Sequence, residues 1–84
     1  MKIYNYELIN SWMDNCKDMT VDELENEIVE SKVAISNEEL WRKGSTSEEG
    51  ILRHTQNIID LSEYISRLRN RVQETIIKKE VVNE

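Results

Sequence analysis

An 84-residue chain makes one domain with a large surface for its volume, and 38% apolar against 33% charged residues leaves it a thin core. Its net charge of −6 is the wrong sign for the basic field that non-specific nucleic-acid binding requires, and for a Lys/Arg-rich membrane-surface helix. Direct nucleic-acid binding and membrane insertion are therefore not expected, and no apolar stretch approaches the length of a transmembrane span.

The opening MKIYNYELINSW lacks the apolar run of a signal peptide, and the single cysteine, Cys16, has no internal disulfide partner. The expected compartment is a reducing cytosol. Two glycines and no proline suit helices joined by tight turns. The abundance of Ile, Asn, Glu and Lys suits an AT-rich genome, many phage genomes among them.

In chain order, residues 1–4 read as a lead-in. From Asn5 to about Cys16 the apolar residues Leu8, Ile9, Trp12 and Met13 recur at helical spacing. Three turns are not stable alone, so the face made by Leu8–Trp12 and Ile9–Met13 must dock on something. After a connector at Lys17–Met19, Thr20 and Glu23 form a capping box, with Met19 placed to staple onto Leu24. The second helix carries Val21, Leu24, Ile28 and Ile35 on one face and Val29, Val33 and Leu40 on an adjoining one. It is expected over 21–43, and a second capping pattern at Ser36–Glu39 makes a kink or restart near Ser36 the alternative to an unbroken helix. Arg42 and Lys43 suit a C-terminal turn, and Gly44 suits a left-handed cap.

Thr46 with Glu49 makes a third capping pattern, leading into a helix over 47–79. With Ile51 at heptad position a, Ile58, Ile65 and Val72 also fall at a, while His54, Leu61, Leu68 and Thr75 fall at d. β-Branched residues at a with Leu at d favour a parallel two-stranded coiled coil. At 1.5 Å per residue this helix is ~50 Å long. Residues 81–84 are expected to fray.

The short loop at 44–46 makes helices two and three antiparallel neighbours. Setting Lys43 against Glu48 brings Leu24 near Leu68 and Ile28 near Tyr64. It also brings the acidic run Asp22, Glu23, Glu25, Glu27 and Glu30 beside Arg67, Arg69 and Arg71. Residues 72–84 then lie past the start of helix two. Helix one either fills that space or leaves the end of helix three to project and pair with another chain.

No residue set points to catalysis. Cys16 and His54 are each alone of their kind, and a nucleophile pair needs both in contact plus an oxyanion hole. Cys16 reads as a small apolar filler and His54 as a partly buried, hydrogen-bonded histidine. Zinc sites draw on several Cys and His, and di-iron bundles need Glu-x-x-His; neither pattern occurs, so no metal or cofactor is expected. Trp12 and Trp41 read as packed between helices. The arginines are spaced by two, off any single narrow face, and read as ion-pair partners.

The sequence thus predicts an all-α fold in one domain: a short N-terminal helix, a middle helix and a long C-terminal amphipathic helix, forming an antiparallel hairpin or three-helix arrangement with coiled-coil character. The expected function is non-enzymatic: a small cytosolic regulator, inhibitor or assembly adaptor that works by helical packing on a protein partner. A homodimer is expected through Ile58, Leu61, Ile65, Leu68, Val72 and Trp12, because an exposed seam of that length is an apolar strip soluble monomers avoid. The alternative is an acidic DNA mimic presenting Asp22, Glu23, Glu25, Glu27 and Glu30 to a nucleic-acid-binding protein.

Overall fold

The structure is a computed structural model that describes residues 3–82, with side-chain surroundings to Lys78; the last two residues of the expected frayed end lie outside it. The described residues form three helices: α1 (Tyr6–Asn15), α2 (Val21–Gly44) and α3 (Glu48–Val82). The all-α prediction holds. Helix α2 runs through Ser36 without a break, and α3 reaches past Lys79.

Each helix start is set by a short polar side chain. Asn5 caps α1 by accepting the N–H of Leu8 at 3.1 Å. Thr20 and Glu23 make the reciprocal box at α2: the Glu23 N–H donates to Thr20 Oγ1 at 3.2 Å, and the Thr20 N–H donates to Glu23 Oε1 at 3.1 Å. At α3 the cap is not Thr46 but Ser47, whose hydroxyl accepts the N–H of Gly50 at 3.0 Å. Glycine at 50 fits this arrangement, because a Cβ there would lie 2.5 Å from Ser45 Oγ and 2.8 Å from Ser47 Oγ. Gly44 also departs from expectation. It is the last residue of α2, no described glycine has positive φ, and Ser45 leaves the helix in extended conformation (φ −77°, ψ 135°).

Helices α2 and α3 form the antiparallel hairpin. Glu27 lies on Tyr64, Glu38 on His54 and Asn57, and Arg42 on Thr55, close to the register read from the sequence. Helix α1 lies along α3 in the parallel sense: the Ile3 carbonyl meets Gln56, the Asn5 N–H meets Asp60, Asn10 meets Arg67 and the Met13 carbonyl meets Arg71. The five-residue connector, residues 16–20, turns the chain back so that α1 runs opposite to α2, hence with α3. It therefore covers the middle of α3 and does not fill the space beside its C-terminal end. The long axis of the molecule is 57 Å and the other two are 21 Å, as a 35-residue helix dictates.

The core is one cluster at the α1–α2 end. Cys16, Leu24, Tyr64 and Leu68 are buried, and Trp12, Met13, Met19, Ile28 and Val72 close over them. Ile9, fully buried, is the residue that docks α1, while Leu8 is left at the rim. Each large apolar side chain removed from water here contributes about 1.5–3 kcal/mol.

The expected charge match between α2 and α3 is not what the arginines do. Arg67 donates to Asn10 Oδ1 at 2.8 Å, lies over the Tyr6 ring and pairs with Glu63 on its own helix; Arg71 donates to the Met13 carbonyl. Residues 67 and 71 are one helical turn apart and share the face that meets α1, so the register is right while the charges serve a different neighbour.

Candidate interaction surface

Three places among the described residues bring together polar groups or apolar surface that bear on function. The first is internal. The hydroxyl of Tyr64 donates to Glu27 Oε1 at 3.1 Å, which leaves its oxygen to accept from the Cys16 thiol, 3.0 Å away. The ring of Trp12 packs on Tyr64 with centroids 5.2 Å apart. These groups line a cavity of about 290 Å³ together with Met19, Ser31 and Ala34. Burial, then the bond to Cys16 and the charge of Glu27, hold the Tyr64 phenol above the ordinary tyrosine range. The thiol sits 1% exposed inside the core, and the cluster joins α1, α2 and α3. Cys16 is thus buried, as a filler would be, and also hydrogen-bonded.

The second place is the hairpin tip. Glu38 Oε2 lies 2.6 Å from His54 Nδ1 and accepts from Asn57 Nδ2 at 3.2 Å, and the His54 ring faces Trp41 at 6.0 Å. The sequence places Trp41 between helices. It is instead 57% exposed, because α1 ends its cover of the hairpin short of the tip and nothing among the described residues replaces it there.

The third place is the outer face of α2. At about 100° per residue, Leu24, Ser31 and Ile35 share one face of this helix and point at α3, while Val29, Val33 and Leu40 fall within about 40° of one another and roughly half a turn away. The two faces are opposite, not adjoining. Val29, Val33 and Leu40 are 57%, 55% and 67% exposed. The signal was in the sequence as the spacing 29, 33, 40, which continues through Ser36 as a second a/d seam on the same helix.

The seam of α3 is placed differently from expectation. Leu68 is fully buried and Ile65 nearly so; Ile58, Leu61, Val72 and Trp12 are half-buried. The seam is not exposed at its centre, because α1 lies parallel to α3 from Gln56 to Arg71. A second copy cannot reach Ile65 and Leu68 without opening the bundle.

Glu27 is turned inward onto Tyr64, while Asp22, Glu23, Glu25 and Glu30 are exposed on the solvent-facing half of α2. Among the described residues no group of His, Cys, Asp and Glu is arranged to hold a metal ion, and no helix is long and apolar enough to cross a membrane. The chain matches no known protein family, no curated protein and no solved structure.

Proposed function

We propose that this chain is a helical protein–protein interaction module, a cytosolic regulator, inhibitor or assembly adaptor without catalytic activity, that docks through the outer face of α2. One observation carries the reading. A helix already apolar on the face it buries carries a second apolar stripe, Val29–Val33–Leu40, pointed away from its own bundle. Scattered surface apolar residues need no explanation, whereas a stripe at seam spacing on an exposed face is the mark of a helix that packs on two sides. Trp41 at its edge adds the residue type most enriched among interface anchors.

The DNA-mimic alternative is favoured by the acidic composition of α2 alone, and the inward turn of Glu27 onto Tyr64 counts against it. The test is affinity capture from the native host with wild type and the double variant V33D/L40D. Both positions are exposed, so the variant should keep the helical circular dichroism of wild type. A partner retained in high salt by wild type and released by V33D/L40D is the expected result. A partner held equally by both, or one that salt and added DNA displace, overturns the reading.

A further inference from the structure

Given the docking face proposed above, we infer that its occupant is a second copy of the same chain, with the two α2 helices antiparallel about a two-fold axis near Ala34 and Ile35. The inference rests on that reading and adds the partner. What identifies the partner is the charge order along the edge of the stripe. Glu25, Lys32, Glu39 and Lys43 lie on one side of Val29, Val33 and Leu40, all exposed, and none makes an ion pair among the described residues. Read toward the C-terminus their signs alternate, negative, positive, negative, positive. An alternating row with an even number of charges is its own complement when reversed.

Antiparallel pairing makes like edges face each other, so the row meets itself. Placing Val29 opposite Leu40 of the other copy, and Val33 opposite Ser36, brings Lys32 of each copy to Glu39 of the other and Glu25 of each to Lys43 of the other. The register that closes the apolar contact is the register that pairs the charges. On the opposite edge Glu30 meets Asn37 and Asn26 meets Trp41, so no like charges are forced together. A parallel pairing fails this check: it sets Glu25 against Glu30 and Lys32 against Asn37, with no cation facing an anion. The contact is isologous, so it closes at two copies and leaves no open end for a filament.

Sedimentation equilibrium of the full chain across the micromolar range tests the arrangement. The expected wild-type mass rises toward twice 10.0 kDa. L40D should hold the chain at a single-copy mass with an unchanged helical spectrum. K32E should weaken association roughly tenfold, because it turns two facing pairs repulsive. E39K should do the same, and the double variant K32E/E39K should recover wild-type association. R69E, on the exposed face of α3, should leave the mass curve unchanged.

A wild type that stays monomeric overturns the inference, as does a dimer that L40D leaves intact or a charge swap that fails to restore it. Monomeric wild type together with host-partner capture that V33D/L40D abolishes removes self-pairing and keeps the interaction face. Monomeric wild type with capture unaffected removes both.

Discussion

The backbone N–H of Asn5 donates to Oδ1 of Asp60 at 2.9 Å, joining residues 55 apart in the chain. Asp60 is 2% exposed, and the same oxygen accepts from Gln56 Nε2 at 3.0 Å, while Gln56 also donates to the Ile3 carbonyl at 2.9 Å. Asn5 caps α1 with its own side chain at the same point. One buried carboxylate on α3 therefore fixes where α1 begins, and with it which part of α3 that helix covers.

Asp60→Ala should destabilise the chain by about 1–3 kcal/mol, the cost of leaving a donor without its partner. The loss should concentrate in α1. Amide exchange of residues 8–15 should speed up far more than that of residues 24–31. Equal acceleration in both would mean that Asp60 acts on the whole bundle and does not anchor α1.

The caps make a paired test. Thr20→Ala and Ser47→Ala should each cost about 1 kcal/mol in urea unfolding, the usual scale for an N-cap. Thr46→Ala should change little, because the hydroxyl that meets the Gly50 N–H belongs to Ser47. A large effect at Thr46 with none at Ser47 would move the start of α3 back by one residue.

Gly44→Ala should stabilise, by a few tenths to about 1 kcal/mol, since alanine is the better helix former and limits the unfolded chain. Gly44 has negative φ, and a Cβ built there meets nothing within 4 Å. Destabilisation by this change, read from the midpoint of thermal unfolding, would put Gly44 in the left-handed cap that the sequence suggests.

Tyr64 gives the fold an alkaline limit. Its folded-state pKa is raised, so the stability linked to its proton is present in full below about 10, where an unfolded tyrosine titrates, and is lost as pH climbs from there toward the folded value. The slope of that loss is one proton, about 1.4 kcal/mol per pH unit. Urea unfolding between pH 9 and 11 should show the excess slope in wild type and lack it in Tyr64→Phe. Identical slopes would mean that Tyr64 ionises within the folded chain as freely as outside it.

What the sequence made legible was local. The cap at Thr20 depends on residues three positions apart, and the hairpin register depends on a loop too short to allow much else. The cap of α3 and the conformation of Gly44 differ from expectation within a few residues, while the other misplacements came from facts that only a third helix supplies. Arg67 and Arg71 were matched to the acidic α2 because the path of α1 was open. Asp60 gave no signal, because a lone acid in an amphipathic helix reads as solvated until another helix begins on top of it. Trp41 reads as interior because nothing local says where the cover of α1 stops. The stripe Val29–Val33–Leu40 is legible in the sequence, and a count of helical angle alone separates it from the buried face.

The parallel course of α1 along α3 has a kinetic consequence. The hairpin contacts start 13 positions apart and zip outward from the turn at Ser45, whereas α1 reaches residues 48 to 58 positions away. Loop closure is costlier for α1, so the hairpin should assemble first and α1 should be the unit that opens and recloses in the folded ensemble. Each opening withdraws Trp12 from Tyr64 and bares Cys16, the one thiol in the chain. The rate at which a thiol reagent labels Cys16 is then a built-in clock for the departure of a single helix, readable without any engineered probe.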